Sequence, residues 1–177
     1  MLLNSSALQD AIRQLKSTVN NKSSREVLKG IHLVQRGNKL ICESTKSYVL
    51  KRIEIDVDVQ ELDSEWDITI IPPSIKFNSV KIELNLKDGI IKDGESVYKL
   101  DKIELEYPTL DNLFPNDSSL VEISFTVDNL KAMLSGLNKN DVITLKIRDE
   151  LKVVEVESIS TNRKCYKGLL SPTRRYK

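Results

Sequence analysis

The sequence predicts an α+β protein with antiparallel sheets and few, short helices. Two stretches have helical periodicity, and around them run many short segments in which apolar and polar residues alternate. Alternation of this kind is typical of strands with one buried and one wet face. A helix or turn followed by several strands recurs along the chain, which indicates repeated βαβββ-like units.

The first unit begins with an amphipathic helix. Its apolar residues recur every three to four positions, at Leu8, Ile12, Leu15 and Val19. This spacing places them on one helical face, and we expect Ser5 or Ser6 to cap the helix start. Strands are predicted in VLKGIHLVQ, KLICEST and SYVLKRIEIDVDV. The turn at residues 36–38, Arg-Gly-Asn, predicts a hairpin between the first two strands.

The second unit consists mostly of strands. Alternating segments are WDITIIPPS, SVKIELNLKDG, IIKDGESVYKL and KIELEYP. Pro72 and Pro73 end the first of them, because proline has no N–H to donate to a neighbouring strand. Lys-Asp-Gly occurs twice, and its residue types are those of turns. Only PPSIKFNS separates the first two strands, so we expect the helix of this unit to be missing.

The third unit again contains a helix. A strand is predicted in VEISFTV and a helix in DNLKAMLSGL, with Asp128 as its N-cap. A buried face is predicted for the helix from Leu130, Met133, Leu134 and Leu137. Further strands are predicted in VITLKIRD, LKVVEVESIS and KCYKGLLSP. The predicted organisation is therefore a two-unit domain at 1–117 and a half-domain at 118–177.

Composition excludes several classes of protein. With 27 basic and 26 acidic residues the net charge is +1, which argues against a surface uniformly coated for wrapping nucleic acid. A local basic surface is still compatible with this balance. Two distant cysteines and one histidine match no metal-binding spacing, so we expect no metal and no cofactor. The sequence has no long apolar run and no signal peptide at its start, so we expect a cytoplasmic protein without membrane contact.

The sequence also lacks the motifs of known catalytic sites. We find no nucleophile elbow, no phosphate-binding glycine loop and no zinc-protease motif. The single histidine, His32, lies in an alternating strand, where a structural role is far more common than a catalytic one. We therefore expect that the protein is not an enzyme.

Several stretches resemble the bacterial DNA polymerase III beta subunit (DNA sliding clamp) family. SSREVLKGIHLVQRGNKLICESTKSYVLKR resembles the first half of a clamp domain, WDITIIPPS an apolar strand ending in proline, and LEYPTLDNLFP a loop closed by proline. VEISFTVDNLKAMLSGLNKNDVITLKIRD and GLLSPTRRYK resemble the final half-domain and the carboxyl end. The stretches follow the family's order from residue 25 to 175. Lys46 and Val49 stand where the family has aspartate and arginine.

The resemblance implies a sliding-clamp fold in a shortened family member from a bacterial or phage-infected cell. It implies a homo-oligomeric processivity factor that tethers DNA polymerase and other replication proteins to double-stranded DNA without reading its sequence. A family subunit has three domains of two units each, whereas three units are recognised here. A tetramer would therefore supply the twelve units of a full ring, while a trimer or an open assembly stays compatible with the sequence.

Two functional surfaces follow from the resemblance. The family's basic helices meet DNA phosphates, and the corresponding residues here are Arg13, Lys16, Lys22, Arg25, Lys131 and Lys139. The family's apolar pocket binds short peptides of polymerases and clamp loaders, and its counterparts are Leu28, Thr45, Ser47, Tyr48, Leu50, Pro115, Leu169, Ser171, Pro172 and Thr173. The alternative interpretation is a solvated helix face for the basic residues and core packing for Leu28, Leu50 and Leu169.

A second functional class is also compatible with the sequence. The chain would then be a clamp-like adaptor that binds polymerase or transcription-factor peptides without encircling DNA. The low net charge and the missing helix of the second unit favour this alternative. A third alternative is a scaffold subunit of a larger complex that has no DNA contact of its own.

Overall fold

The structure is a computed structural model that describes residues 1–46, 49–59, 66–114, 121–138, 140–148, 152–159 and 165–173. The chain divides into two compact units, Met1–Leu110 and Asp111–Lys177, which are described separately. The boundary predicted between residues 117 and 118 lies outside the described residues and stays a prediction.

Unit 1 is built on one antiparallel sheet of nine strands in the order β8-β7-β6-β1-β4-β3-β2-β5-β9. Its elements are β1 (Leu2–Asn4), α1 (Ser5–Leu15), β2 (Ile31–Arg36), β3 (Lys39–Lys46), β4 (Val49–Asp58), β5 (Asp67–Ile70), β6 (Lys81–Asn85), β7 (Ile90–Asp93), β8 (Ser96–Lys99) and β9 (Lys102–Ile103), with 3₁₀ turns at Lys16–Thr18 and Glu26–Lys29. Only Leu100 and Asp101 separate β8 from β9. One bent stretch of chain therefore supplies both end strands of the sheet.

Unit 1 consists of two halves that are joined through their first strands, since β1 also pairs with β4 and β5 with β9 of the same half. The first half contains β1, α1 and β2–β4, and the second contains β5, residues 71–80 and β6–β9. β1 pairs with β6 of the second half, with Leu3 opposite Ile82, and β5 pairs with β2 of the first half, with Ile70 opposite Ile31. Each half therefore needs the other to complete its sheet.

The core of unit 1 lies between α1 and one face of the sheet. The predicted helical face is confirmed, since Leu8 and Leu15 are fully buried and Ile12 and Val19 nearly so. The predicted cap is wrong: Asn4 is the N-cap, and its side-chain oxygen accepts a hydrogen bond from Ala7 N at 3.1 Å. The helix begins at Ser5, so the two serines lie inside its first turn.

The two predictions about connections in unit 1 are confirmed. Gly37 turns the β2–β3 hairpin with a φ of 55°, in the left-handed region that favours glycine. Residues 71–80 form neither helix nor strand. Asp93 holds the end of this segment, because its carboxylate accepts hydrogen bonds from Asn78 N at 2.7 Å and Ser79 N at 2.8 Å. A hydrogen bond with the Ser79 side chain, together with these backbone bonds, lowers the pKa of Asp93.

Unit 2 contains one helix and a three-stranded antiparallel sheet in the order β10-β11-β12. Its elements are a 3₁₀ turn at Asp111–Leu113, α2 (Val127–Leu134), β10 (Val142–Lys146), β11 (Val154–Ile159) and β12 (Cys165–Leu170). Thr126 is the N-cap of α2, not Asp128: its hydroxyl oxygen accepts a hydrogen bond from Asn129 N at 3.2 Å.

Two further expectations for unit 2 are wrong. Residues 121–126 do not form the predicted strand, because within the described part of the chain no strand forms a ladder with them. The predicted buried face of α2 is not buried: Leu130 is 39% exposed, and Met133, Leu134 and Leu137 are only partly covered. Within the described residues, α2 packs against β12.

Candidate DNA and peptide interfaces

The exposed side of α1 carries two of the predicted DNA contacts. Arg13 and Lys16 lie three positions apart on the helix face that points away from the sheet. The Arg13 guanidinium forms an ion pair with the Asp10 carboxylate at 2.9 Å, with both side chains largely exposed. Lys16 Nζ lies 3.5 Å from the Ser74 hydroxyl. Lys16 forms no ion pair with any residue that the structure describes, whereas the Arg13 charge is paired with Asp10.

A groove separates α1 from the extended segment that replaces the second helix. It encloses about 290 Å³ and is lined by Gln9, Ile12, Arg13, Lys16 and residues 73–77. Gln9 Nε2 donates to the Ile75 carbonyl at 3.2 Å and so holds the segment against the helix. Lys76 is exposed on the segment side of the groove. The sequence-based set of DNA contacts did not include Lys76, because the family's basic side chains were expected on helices.

Lys51 is a second basic residue that sequence reasoning missed. Its Nζ donates to the Gln14 carbonyl at 3.3 Å and to the Ser17 hydroxyl at 2.9 Å, at the carboxyl end of α1. A cation here meets the negative end of the helix dipole. The available signal was the replacement of an apolar residue by Lys51 in the alternation that continues through Ile53.

The other predicted DNA contacts do not belong to this face. Lys22 and Arg25 are exposed in the loop before the Glu26–Lys29 turn. Lys131 is exposed on α2 in unit 2, and Lys139 lies outside the described residues. The structure therefore brings Arg13 and Lys16 together, and adds Lys76 and Lys51 to them.

Three residues of the predicted peptide pocket lie close together in unit 1. Leu28 and Leu50 are half-buried against a small apolar cluster formed by Val27, Tyr107 and Leu110. Thr45 lies opposite Leu50 in the β3–β4 ladder, and its hydroxyl donates to the Val49 carbonyl at 3.1 Å. Leu28 and Leu50 thus combine partial packing with partial exposure, as the wall of an apolar pocket requires.

The carboxyl-terminal pocket residues lie next to one another in unit 2. Leu169 is 67% exposed, so core packing does not explain this leucine. Ser171 and Thr173 are exposed and Pro172 is half-buried, while Thr173 N donates to the Ser124 carbonyl at 2.7 Å. Ser47, Tyr48 and Pro115 lie outside the described residues. A pocket built from both groups of residues stays a prediction.

A buried polar row supports the apolar cluster of unit 1 on the sheet face opposite α1. His32 Nδ1 lies 3.2 Å from the Glu43 carboxylate, and His32 Nε2 lies 3.1 Å from Asp67. Arg52 contacts the other Glu43 oxygen at 2.7 Å, and the Tyr107 ring stacks on His32 with centroids 4.4 Å apart. Burial alone would raise the pKa of Glu43, but hydrogen bonds from His32 and Arg52 outweigh it and lower the pKa.

Two buried side chains of unit 1, one on each face of the sheet, are held in their protonated forms. Burial raises the pKa of the Cys42 thiol to about 12, which leaves no reactive thiolate at neutral pH. Burial likewise raises the pKa of Tyr107 to about 12. Among the described residues no group of three or more His, Cys, Asp or Glu side chains could hold a metal ion. The row can therefore position the 104–110 segment on the sheet.

Comparisons with known proteins agree with this geometry. The family model described as "DNA polymerase III beta subunit, central domain" matches residues 2–95. The crystal structure of the DNA polymerase sliding clamp from Bacillus subtilis superposes with a TM-score of 0.80 and 19% identity, over 98% of this chain and 49% of that chain. The DNA polymerase III beta chain of Streptococcus pneumoniae gives a TM-score of 0.75 and 20% identity, over 98% and 49% of the two chains.

A third similar structure has a bound peptide. The Helicobacter pylori beta clamp bound to a DNA ligase peptide gives a TM-score of 0.64 and 18% identity, over 97% of this chain and 51% of that chain. The chain thus spans about half the length of these structures. None of the curated proteins compared matches the sequence.

No helix in the described parts of the chain has the length and apolarity needed to cross a membrane. Unit 1 has the mostly antiparallel, helix-poor architecture of a sliding-clamp domain, and the family match covers 2–95 of the 177 residues. The chain therefore belongs to the DNA polymerase III beta subunit family, the bacterial DNA sliding clamps.

Proposed function

We propose that the protein is a DNA sliding clamp, a homo-oligomeric processivity factor that tethers replication proteins to double-stranded DNA in the cytoplasm of a bacterial or phage-infected cell. The observation that carries this proposal is the combination of the family match over residues 2–95 with a sliding-clamp fold over 98% of the chain. The protein would do no covalent chemistry and would need no cofactor.

The mechanism rests on topology and on loose phosphate contacts. Basic side chains beside α1, with Lys16 and Lys76 foremost, would meet phosphate oxygens without reading bases. Such contacts are electrostatic and salt-dependent, so they hold a duplex without fixing its register. A partner bound to an encircling protein stays near the DNA, which raises its effective concentration there.

The peptide-binding part of the proposal concerns Leu28, Thr45 and Leu50 in unit 1 and Leu169–Thr173 in unit 2. Half-buried Leu28 and Leu50 offer apolar contact area, and the exposed Leu169 side chain would add to it. The bound DNA ligase peptide of the Helicobacter pylori clamp gives the class of ligand that we expect. Polymerase and clamp-loader peptides with one or two apolar anchors would bind in the same way.

Retention on circular DNA tests the clamp function directly. The protein is first diluted so that its subunits separate, mixed with a nicked plasmid, and then concentrated so that assembly occurs around the DNA. At moderate salt we expect the protein to elute with the circular plasmid in gel filtration and to be lost after the plasmid is linearised. Equal retention on both forms, or on neither, would contradict encirclement.

The adaptor is the second candidate function. Two observations favour it: the net charge is only +1, and Arg13 is paired with Asp10 on the face that would meet DNA. An adaptor would bind the DNA ligase peptide while showing no retention on nicked plasmid. A protein that binds neither plasmid nor peptide would fit the scaffold alternative.

A further inference from the structure

The groove between α1 and the segment 73–77 has an apolar floor as well as a basic rim. Ile12 of α1 lines the groove and is nearly fully buried, while Ile75 and Phe77 of the segment are half-buried against the core of unit 1. Phosphate oxygens are bound by hydrogen-bond donors and cations, so the phosphate contacts proposed above involve only the rim. They leave the floor without a role.

The floor is accessible because an extended segment, not a helix, lies beside α1. Residues 71–80 form neither helix nor strand. An α-helix with its side chains is about 10–12 Å across, and a single extended chain covers a narrower strip of the core. Along this chain exposed Ser74 and Lys76 alternate with half-buried Ile75 and Phe77. The apolar side chains therefore form the floor, and the polar ones lie at the rim.

The walls of the groove are held in place by contacts within unit 1. Gln9 Nε2 donates to the Ile75 carbonyl at 3.2 Å, and Lys16 Nζ reaches across the groove to within 3.5 Å of the Ser74 hydroxyl. The Asp93 carboxylate fixes the end of the segment through the backbone N–H groups of residues 78 and 79. A ligand that enters a groove fixed in this way loses little free energy to ordering the protein.

The rim of the groove is positively charged. Three cationic side chains, those of Arg13, Lys16 and Lys76, are among the described residues that line it, and none of those residues is acidic. Arg13 is paired with exposed Asp10, whereas Lys16 and Lys76 form no ion pair within the described part of the chain. Lys51 adds a further positive charge at the carboxyl end of α1. The charge of this surface therefore favours an anionic ligand.

We propose that this groove binds an extended acidic segment of a partner protein. One or two apolar side chains of the segment lie on the floor, and its carboxylates pair with Lys16 and Lys76. The groove encloses about 290 Å³, which is small for a ligand site and suits a few side chains better than a helix. A DNA duplex carries its phosphates on a rigid outer surface, so it touches the rim and leaves the floor empty.

The segment and the duplex would exclude one another, because both use Lys16 and Lys76. A partner with such a segment would therefore weaken the hold of this protein on DNA, and DNA would weaken the binding of the partner by the same factor. This consequence rests on the clamp function proposed above. Binding of the acidic segment does not, since it can be measured without DNA.

Fluorescence anisotropy with a labelled peptide tests the binding. The probe is acetyl-Glu-Asp-Leu-Phe-Glu-Asp-amide, measured at low salt. One control peptide has serine at the two apolar positions, and the other has lysine at the four acidic positions. Each control should bind at least about tenfold more weakly, because each lacks one of the two kinds of contact. No binding of the probe, or equal binding of the probe and the serine peptide, would overturn the proposal.

A smaller floor should separate the peptide from the duplex. Ile75→Ala should weaken binding of the probe by about fivefold, because it removes apolar contact area, and should leave duplex binding unchanged. The matched control is Ile71→Ala, on the same segment but outside the groove, where the side chain is 51% exposed. Unchanged peptide binding by Ile75→Ala, or an equal loss of duplex binding, would overturn the proposal.

Charge reversal keeps the proposal testable if Ile75→Ala does not fold. Lys16 and Lys76 are both exposed, so Lys16→Glu with Lys76→Glu should fold normally. This variant should bind the lysine peptide more tightly than the acidic probe, which reverses the preference of the wild type. A variant that still prefers the acidic probe would show that the peptide binds elsewhere.

The peptide and plasmid experiments distinguish the two proposals. Binding of the probe without retention on nicked plasmid would support the acidic-segment site and refute encirclement. Retention on plasmid without binding of the probe would refute the acidic-segment site alone. Where both bind, unlabelled probe should displace the labelled duplex, and a complex that holds protein, probe and duplex together would refute the shared contacts.

Discussion

Removing two lysines beside α1 should weaken DNA binding in a way that depends on salt. Lys16 and Lys76 both line the groove between α1 and the segment 73–77. Each phosphate contact contributes about 0.9 to the slope of log K against log salt, so Lys16→Gln with Lys76→Gln should reduce the slope by about 1.8. Between 50 and 200 mM salt the variant should therefore lose about tenfold less affinity than the wild type.

Fluorescence anisotropy with a short labelled duplex measures this slope. The charge-matched control is Lys81→Gln with Lys92→Gln. These lysines are exposed on the other face of the sheet, where they pair with Asp58 and Glu83. Exposed pairs of this kind contribute little to stability, so the control should fold normally. A slope equal to that of the wild type in the first variant, or an equal change in both variants, would refute phosphate contact by Lys16 and Lys76.

Three further predictions concern stability and peptide binding. Glu43→Gln should lower the free energy of unfolding at pH 7 by about 1–3 kcal/mol, as measured by urea titration. Because folding lowers the pKa of Glu43, the wild type is more stable than the variant above the unfolded pKa. This difference in stability should vanish as the pH falls through the folded pKa. Gly30→Ala should cost about 1–3 kcal/mol in the same assay, since its Cβ would lie 2.4 Å from Thr69 Cγ2; an unchanged midpoint would show that the strand moves freely. Leu169→Asp should abolish binding of the DNA ligase peptide in anisotropy measurements without changing the melting temperature, whereas the similarly exposed Val97→Asp should bind normally; unfolding of the Leu169 variant would instead support a packing role.

Local sequence patterns predicted the fold well where the residues that determine a feature are close together in the sequence. The buried face of α1 follows from apolar spacing, and Leu8 and Leu15 are fully buried. The hairpin at Gly37 follows from turn chemistry, and the absence of a helix over 71–80 follows from two prolines and the short length of the segment. Each of these features is determined by residues close together in the sequence.

Features that depend on distant pairing could not be predicted in the same way. β1 has only three residues, too few to show alternation, and its partner Ile82 lies far along the chain. The N-cap assignments failed by one or two residues, because several capping residue types are adjacent at both helix starts. Residues 121–126 show a strand pattern without forming a strand, since alternation reports a preference and a ladder needs a partner.

The candidate sites were predicted only in part for a similar reason. The resemblance proposed Arg13 and Lys16 as DNA contacts, and both lie on the exposed face of α1. It could not propose Lys76, which lies on a segment that departs from the family's helix. Nor could it show that Asp10 pairs with Arg13, because such contacts depend on side-chain conformation. Leu28 and Leu50 were predicted to line one pocket; both pack against the same apolar cluster, and the pocket itself stays a prediction.

The pairing of each first strand of unit 1 with the other half also bears on how the chain folds during synthesis. β1 is made first, but β6, its neighbour in the sheet, begins only at Lys81. Until β6 is synthesised, the edge of β1 that pairs with it stays unpaired, and the edge of β2 stays unpaired until β5 is synthesised. Sheets dominated by such distant pairing fold slowly, because loop closure precedes the stabilising contacts. We therefore expect unit 1 to fold in one cooperative step, after about the first hundred residues have left the ribosome. Before that step its strand edges are exposed.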